Sequence, residues 1–399
     1  MSAASFVHVA GLGVVSPAGT GVGEFWRALF THPAQPSRAA VAGLPADGKS
    51  LRHGYSVSQP PQADARRFDQ LALAAIGEAL VDAQARGHAL EGARIGLAIG
   101  TAAGDVELAE RQRLNGQTAH FDLCNPYRAA NDLAAALPVD IDGPAFAVAN
   151  ACSAGLYALA YAADLIQQGE ADAMIVVGVE LLSRVTQAGF QKMTALDPDR
   201  CRPFDALRHG TVLGEGAAAV VLVSDMLRAS VASTDTYCRL VGTGLSCDAH
   251  HPTAPQPDGR DIRAAVERAL AQAGVSAEQV AFVVPHGTGT PMNDRIEGDM
   301  LASVAGEHAT QWSVMPIKSH IGHGAGASGC FSVLAAAMAL AEREVPPTVH
   351  ITHPDAAVPL RFSEESFVLS AGQPLHALVN AYGFGGNNIS MLLEGGLHG

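Results

Sequence analysis

One cysteine lies in a turn of small residues whose setting favours covalent chemistry. Cys152 stands in the string Asn150-Ala-Cys-Ser-Ala-Gly155, between an apolar run and an alanine-rich helical pattern. The N-terminus of a helix lowers the pKa of a thiol, and the thiolate is the nucleophilic form. A cysteine in an alanine-rich segment is by itself more often a small buried side chain. Motifs elsewhere in the chain make Cys152 a candidate nucleophile.

Two histidine motifs far downstream supply that context. One reads Pro285-His-Gly-Thr-Gly-Thr290, and the other reads Lys318-Ser-His-Ile-Gly-His323. A lone histidine after a strand is more often structural, but a thiol, two imidazoles and a lysine together could act on one reacting centre. That combination indicates carbon–carbon bond formation on thioesters.

Two other motifs resemble a nucleotide-binding site and a metal site, but their spacing does not support either function. The pair Lys318-Ser319 resembles part of a phosphate loop, but the order Gly-x4-Gly-Lys-Ser/Thr is absent, which argues against nucleotide binding. The string Cys247-Asp-Ala-His-His-Pro252 lacks a second Cys or His pair at zinc spacing, so we expect a polar loop and no metal. The glycine-rich turn around Phe384 is expected to join two strands, and a functional role for it would require proximity to Cys152.

Composition places the chain among compact globular proteins. With 399 residues, 48% of them hydrophobic, it is long for one core, so two domains or two fused halves are expected. A net charge of −14 argues against a general nucleic-acid binder. We find neither a signal peptide nor an apolar run of about 20 residues, so no membrane segment is expected. Six cysteines without paired spacing fit reduced thiols and a cytoplasmic location.

Apolar strand-like runs alternate with helical patterns, which is typical of an α/β fold. The predicted helices cover residues 68–84, with apolar residues at helical spacing, and residues 153–168, which end before Gly169. The predicted strands cover residues 6–10, 95–99, 173–177, 217–223, 239–241, 280–284, 377–382 and 389–393.

A faint internal repeat indicates that the two halves are duplicates. The string Val9-Ala-Gly-Leu-Gly13 is echoed by Leu240-Val-Gly-Thr-Gly244, and the helix start Ser153-Ala-Gly155 by Ala327-Ser-Gly329. The two echoes occur in the same order. With the polar stretch at residues 229–236 as the seam, we predict an N-terminal half over residues 1–232 and a C-terminal half over residues 233–399.

The chain resembles the β-ketoacyl synthases, the condensing enzymes of fatty acid and polyketide synthesis. Any one of the shared motifs is weak, but in this order along nearly the whole length they are specific. The motifs occupy residues 9–17, 150–155, 202–205, 214–217, 286–291, 318–323 and 383–386. The resemblance implies a thiolase-like fold, in which two duplicated α/β halves form five layers, αβαβα. It also implies an acyltransferase of the EC 2.3.1 class.

The resemblance further implies a Cys-His-His centre for a decarboxylative Claisen condensation. Cys152 would carry the acyl group, while His286 and His323 would polarise the thioester of a malonyl unit. The product would be a 3-oxoacyl group on acyl carrier protein. The backbone N–H groups of Cys152 and Phe384 would form the oxyanion hole. Lys318 would tune and orient His323.

The remaining site residues are also carried over from the family. Glu297 would support the histidine network, and Phe384 would gate the acyl and malonyl sites. Thr288 and Thr290 would contact the phosphopantetheine arm, which acyl carrier protein supplies, and Phe384 and Gly385 would also bind substrate. No bound cofactor is implied. Two positions, Asn293 and Gly324, depart from the commonest pattern and bear on substrate more than on reaction.

Partners and alternatives follow from the same resemblance. An acidic carrier protein needs a basic landing site, for which the candidates are Arg66, Arg67, Arg202 and Arg208. The chain would form a homodimer, or a heterodimer with a homologous ketosynthase or chain-length subunit. One alternative is a non-catalytic chain-length partner, which would usually lack the nucleophile. Another is a thiolase, which typically uses Cys-His-Cys.

Overall fold

The computed structural model describes residues 6–37, 53–58, 66–229, 235–358, 360–370 and 375–396. Helices and strands alternate along most of this part of the chain. The helices are α1 Val22–Ala28, α2 Arg67–Ala85, α3 Val106–Leu114, α4 Pro126–Ala136, α5 Ala154–Gln167, α6 Arg184–Lys192, α7 Asp225–Ala229, α8 Arg260–Ala273, α9 Pro291–Ala305, α10 Lys318–Ile321 and α11 Ser328–Glu342. The strands are β1 Val7–Ser16, β2 Gly19–Thr20, β3 Ile95–Gly100, β4 Ala145–Val148, β5 Ala173–Glu180, β6 Gly216–Ser224, β7 Cys238–Cys247, β8 Val280–Val284, β9 Ser313–Val314, β10 Glu344–Val345, β11 Phe367–Val368, β12 Leu375–Gly383 and β13 Asn387–Gly395.

The main sheet has the same pattern of parallel and antiparallel pairings at both ends. Its strand order is β4-β3-β5-β6-β1-β7-β13-β12-β8-β9, with β2 paired to β1. At one end β4, β3 and β5 are parallel and β6 is antiparallel to β5. At the other end β9, β8 and β12 are parallel and β13 is antiparallel to β12. A short antiparallel pairing of β1 with β7 joins the two halves in the middle.

The glycines of the internal repeat have the same packing role in both halves. A Cβ atom on Gly11 or Gly13 of β1 would lie 2.2 or 2.1 Å from a backbone oxygen of α2. A Cβ atom on Gly242 or Gly244 of β7 would lie 2.1 or 1.8 Å from a backbone oxygen of α8. Since no side chain fits in these gaps, each glycine pair lets a helix lie directly on its strand. The repeat in the sequence is therefore a repeat of helix-on-strand packing.

Three hydrophobic clusters divide the molecule into five layers. One cluster packs α2 and α4 on the outer face of the N-terminal half of the sheet. A second packs α8 and α9 on the outer face of the C-terminal half. The largest lies between the halves and contains α5 and α11. The order α-β-α-β-α confirms the predicted thiolase-like architecture.

The two central helices touch at their backbones. A Cβ atom on Gly155 would lie 2.7 Å from the carbonyl oxygen of Gly326, and one on Gly329 would lie 2.3 Å from the nitrogen of Leu156. By length and composition the segment Ala325–Glu342 could cross a membrane, but 89% of it is buried inside the protein, as in a core helix. The small residues at the two helix starts thus allow α5 and α11 to pack against each other at the centre of the molecule.

The predicted elements are present, and most are longer than the sequence patterns indicated. The strand predicted at residues 6–10 extends through Val7–Ser16, and the one predicted at 239–241 extends through Cys238–Cys247. The helix predicted at 68–84 spans Arg67–Ala85. Gly169 follows α5 with a φ of 74°, the left-handed conformation expected of a residue that ends a helix. The boundary predicted at residues 232 and 233 lies outside the described residues.

Candidate active site

The candidate nucleophile lies in a tight turn between β4 and α5. Cys152 occupies a single 3-10 turn, Ala151–Ser153, directly before the first residue of α5. Ala151 has a φ of 59°, which is costly for a residue with a side chain. The Ser153 hydroxyl donates to the carbonyl oxygen of Asn150 and closes the turn. The backbone is thus strained at Ala151, the residue directly before the one that carries the thiol.

His323 comes from the other half of the molecule and lies against this thiol. Its Nε2 atom is 3.1 Å from the Sγ atom of Cys152. The backbone N–H of His323 donates to the carbonyl oxygen of Val212, and the N–H of Gly214 donates to the carbonyl oxygen of His323. Both backbone groups of His323 are therefore tied to a neighbouring segment, which fixes the position of the imidazole.

His286 stands beside His323, with a distance of 5.5 Å between the ring centroids. It follows β8, as the sequence predicted. Two fully buried carboxylates of α9 hold this turn. Glu297 accepts hydrogen bonds from the backbone N–H groups of His286 and Gly287. Asp294 accepts hydrogen bonds from three backbone N–H groups, those of Phe204, Thr288 and Gly289. Both carboxylates thus position the histidine turn.

Lys318 lies below both imidazoles. It begins the one-turn helix α10, and the preceding strand β9 ends at Val314. The Nζ atom donates to the carbonyl oxygen of His286. Its hydrogen bond therefore orients the His286 turn, whereas the family resemblance implied that Lys318 orients His323. Its charge acts on both rings: burial first, and Lys318 second, hold the pKa values of His286 and His323 well below the usual range.

The thiol itself is difficult to ionise because it is buried. Burial raises the pKa of Cys152 to about 12, while the Lys318 charge and the backbone N–H groups of Cys152 and Phe384 oppose this rise. The expectation of a lowered pKa at the helix N-terminus is therefore not met, because desolvation of the thiolate outweighs its favourable partners. Ionisation of Cys152 needs a base within reach, and the neutral imidazole of His323 occupies that place.

An aromatic pair covers the reacting groups. Phe384 lies in the turn between β12 and β13. Its backbone N–H faces the thiol, as an oxyanion hole requires. Its ring stacks on that of Phe190 of α6, with 5.6 Å between the centroids. The ring of Phe190 also meets that of His323 edge to face. Phe190 was not singled out in the sequence, because an isolated phenylalanine in a helical pattern has no distinguishing signal.

A cavity of about 360 Å³ connects these groups with the surface. The hydroxyl groups of Thr288 and Thr290 lie 2.9 Å apart on its wall, where an amide-bearing arm could bind. Gly385 and Asn293 also line it. Gly324 is buried beside His323 and lies outside the residues that line the cavity. The cavity therefore brings together the thiol, both imidazoles and the predicted arm-binding residues.

The loop dismissed as a simple polar connection borders the cavity. Asp248 and His251 contribute to its wall. Asp248 also accepts a hydrogen bond from Asn388 on β13, so the loop is anchored to the sheet. No group of three or more residues able to bind a metal occurs in the described part of the chain. The loop is thus part of the site, a role that its spacing along the chain could not reveal.

The four arginines proposed for carrier-protein docking form ion pairs within the protein, and most of each side chain is buried. Arg208 pairs with Asp294 and Asp355 and is only 6% exposed in its side chain. The other pairs join Arg66 to Asp69, Asp105 and Asp132, Arg67 to Glu215, and Arg202 to Asp197 and Asp199. Each of the four positive charges thus has an acidic partner within the protein, and their part in carrier docking stays a prediction.

The sequence matches two family models along most of its length. The first, "Beta-ketoacyl synthase, N-terminal domain", covers residues 4–226. The second, "Beta-ketoacyl synthase, C-terminal domain", covers residues 237–352. The two matches together contain Cys152, His286 and His323.

Curated relatives and solved structures agree with these matches. The chain is 33% identical to a 3-oxoacyl-[acyl-carrier-protein] synthase 2 of Vibrio cholerae, over 97% of this chain and 98% of that protein. It is 31% identical to a putative polyketide beta-ketoacyl synthase 1 of Streptomyces cyaneus, over 98% of each. Its fold is similar to that of the ishigamide ketosynthase/chain length factor, with a TM-score of 0.85, 29% identity and coverage of 98% and 100%. It is also similar to a type II polyketide ketosynthase solved with its acyl-carrier protein, with a TM-score of 0.84, 25% identity and the same coverage.

Proposed function

Since this chain belongs to the β-ketoacyl synthase family, we propose that it joins an acyl group held on Cys152 to a malonyl unit on acyl carrier protein, with loss of CO2. The product is a 3-oxoacyl-acyl carrier protein. One observation carries the proposal: the Sγ atom of Cys152 and the Nε2 atom of His323 lie 3.1 Å apart in a cavity that also contains His286. This pairing of a nucleophile with two imidazoles fits thioester condensation.

The first step transfers the acyl group to the thiol. His323 takes the thiol proton at Nε2 while Sγ attacks the thioester carbon of the acyl carrier protein. The new carbon–sulfur bond to Cys152 forms as the bond to the carrier sulfur breaks, and the proton passes to the departing carrier thiol. Because burial and Lys318 hold the pKa of His323 below its usual range, the imidazole is neutral at pH 7 and its Nε2 atom has a lone pair for the thiol proton.

The second step generates the carbon nucleophile. The N–H groups of His286 and His323 hydrogen-bond to the carbonyl oxygen of malonyl thioester. The bond to the carboxylate carbon breaks, CO2 leaves, and its electron pair becomes an enolate that both N–H groups stabilise. Donors fixed in a dry cavity before the reaction are most effective at stabilising such charge.

The third step joins the two carbons. The enolate carbon attacks the acyl carbon on Cys152, and the backbone N–H groups of Cys152 and Phe384 stabilise the oxyanion. Collapse of the tetrahedral intermediate breaks the carbon–sulfur bond, and the thiolate of Cys152 takes a proton from solvent through the cavity. The closeness of both N–H groups to Sγ supports this assignment.

The arm and the partners belong to the same proposal. Thr288, Thr290 and Gly385 contact the phosphopantetheine arm supplied by acyl carrier protein. The described ketosynthases were solved with a carrier protein or a chain length factor, which supports a carrier-dependent enzyme that pairs with itself or a homologue. We also propose a cytoplasmic location, on the basis of the family. The presence of Cys152 argues against a non-catalytic chain-length subunit, and the second histidine argues against a thiolase.

Replacement of the nucleophile tests the proposal. Cys152→Ala should abolish condensation but retain release of CO2 from malonyl carrier protein, because the histidines carry that step. Mass spectrometry of the intact chain should find the acyl group on wild type and on Cys124→Ala, a buried cysteine outside the cavity wall, but not on Cys152→Ala. Condensation by Cys152→Ala at a near-native rate would refute the mechanism. Condensation of acetyl thioesters without loss of CO2 would indicate a thiolase.

A further inference from the structure

The Nδ1 atom of His323, which is the ring nitrogen that does not face the thiol, has a side-chain partner with no role in the mechanism above. Its Nδ1 atom lies 3.1 Å from the Oγ atom of Ser328, the first residue of α11. Ser328 is buried, with 3% of its surface exposed. Among the described residues it provides the only hydrogen bond to Nδ1, and Nδ1 provides the only one to its hydroxyl.

The two imidazoles differ in this respect. The Nδ1 atom of His286 is also buried, but no described residue forms a hydrogen bond with it. Which nitrogen of a neutral imidazole carries the proton depends on the partner of the other nitrogen. The protein therefore controls the protonation of His323 through a side chain and leaves that of His286 without such control.

The reaction needs His323 in two different tautomers. To accept the thiol proton, Nε2 must be bare, so Nδ1 carries the hydrogen and needs an acceptor. To donate to the malonyl thioester, Nε2 must carry the hydrogen, so Nδ1 is bare and needs a donor. A serine hydroxyl can be either, because it has one hydrogen and two lone pairs and rotates freely. A backbone N–H could serve only the second tautomer, and an alanine could serve neither.

We propose that Ser328 is a positioning residue that supports both tautomers of His323 by rotation of its hydroxyl. The inference rests on the proposed function. Between the departure of the first carrier protein and the arrival of the second, the cavity connects His323 with solvent, and the ring proton exchanges there. Ser328 does not touch substrate; it acts only through Nδ1 of His323.

The chain offers a matched control for this serine. Ser332 lies one turn further along α11 and is buried to a similar extent, with 2% exposed, but it has no contact with His323 among the described hydrogen bonds. In the Cys152→Ala background, where only CO2 release is observed, Ser328→Ala should lower kcat about tenfold, as expected for one hydrogen bond lost in the transition state. KM should not change. Ser332→Ala should stay within about twofold of its parent.

Rescue separates positioning from simple packing. Ser328→Thr retains the hydroxyl and should recover most of the lost kcat, with thermal unfolding checked for every variant. Equal rates for Ser328→Ala and Ser332→Ala would overturn the proposal. A threonine variant that folds like wild type but is as slow as the alanine variant would also overturn it.

A second measurement does not depend on activity. The ¹⁵N chemical shifts of the His323 ring, assigned by comparison with His323→Ala, report which nitrogen carries the proton. Ser328→Ala should change the tautomer population, and Ser332→Ala should not. An unchanged ring spectrum in Ser328→Ala would refute the proposal. If wild type neither condensed nor released CO2, the proposed function would fail, whereas the ring spectrum would still decide whether Ser328 controls the tautomer.

Discussion

Lys318 donates a hydrogen bond to the backbone carbonyl oxygen of His286, although the two residues lie on different elements of the C-terminal half. The bond brings a positive charge under the histidine turn, where Glu297 faces it. Because a cation opposes protonation of a nearby imidazole, Lys318 helps to keep both catalytic rings neutral. The lysine therefore serves as an electrostatic device and as a support for the turn.

Removal of this charge should change the dependence of activity on pH. Without the ammonium group the pKa values of His286 and His323 rise, so the neutral rings are lost at a higher pH on acidification. The acid limb of kcat/KM for condensation should thus move to higher pH in Lys318→Met. Steady-state rates from pH 5 to 8 would test this. An acid limb at the same pH in wild type and variant would contradict an electrostatic role.

The two histidines should be separable by step. His323→Ala should block acylation of Cys152 and lower CO2 release by about 10²–10³-fold, because it loses both the base and one of two donors. His286→Ala should lower CO2 release to a similar extent but leave acylation intact, because His286 does not contact the thiol. Mass spectrometry of the acyl chain, with CO2 release measured in parallel, tests both. Equal acylation in the two variants would contradict the assignment.

The aromatic cover should protect the acyl-enzyme from water. Phe190→Ala removes the ring that stacks on Phe384 and contacts His323, so water should reach the thioester on Cys152. The acyl group should then be lost several-fold faster in the absence of malonyl substrate, as followed by mass spectrometry over time. The control is Val185→Ala, an exposed position of the same helix. Identical decay in all three proteins would show that the aromatic pair does not exclude water.

Arg67, one of the arginines proposed for docking, should contribute to the stability of the fold. The side chain of Arg67 is 11% exposed and pairs with Glu215, which is 7% exposed, at 2.6 Å. Loss of one partner of a buried pair strands the other charge, so Arg67→Ala should cost about 3 kcal/mol of unfolding free energy. Arg128→Ala breaks more exposed pairs with Asp122 and Asp132 and should cost no more than about 1 kcal/mol. Urea denaturation measures both, and an equal cost would contradict the burial argument.

The glycine pairs under the helices should not tolerate a methyl group. In Gly13→Ala the new Cβ would lie 2.1 Å from the carbonyl oxygen of Ala75, so β1 and α2 must separate, at a cost of about 3 kcal/mol or more. Gly77 lies on the same helix with nothing within 4 Å of an added Cβ. Gly77→Ala should therefore stabilise the fold by about 0.5–1 kcal/mol. Thermal unfolding would reveal the opposite signs, and a shift in the same direction would refute the packing argument.

Local patterns were sufficient for much of the fold. The strand at Val280–Val284 was predicted with its observed bounds because it is a short apolar run between a glutamine and a proline. The bounds of β7 were missed at its C-terminal end, because Gly242 and Gly244 interrupt the apolar pattern there. Those glycines allow α8 to pack directly on the strand. This contact is between residues distant in sequence, so a short stretch of sequence cannot reveal it.

The site residues likewise differ in whether local sequence patterns could reveal them. Cys152 and His323 could be recognised because each lies in an unusual string of small residues. Phe190 and Ser328 could not, because each acts only through a residue far away in the chain. The pKa of Cys152 was expected on the wrong side of its usual value, since the helix start is visible in the sequence but the depth of burial is not.

Contact between the backbones of α5 and α11 at Gly155 and Gly329 bears directly on the distance between the two reacting groups. Cys152 precedes the first of these helices and His323 precedes the second. Any change in the spacing of the two helices would therefore change the distance between the thiol and the imidazole. The small residues at this contact thus help to set the separation of a nucleophile and a base that lie 171 residues apart in the chain.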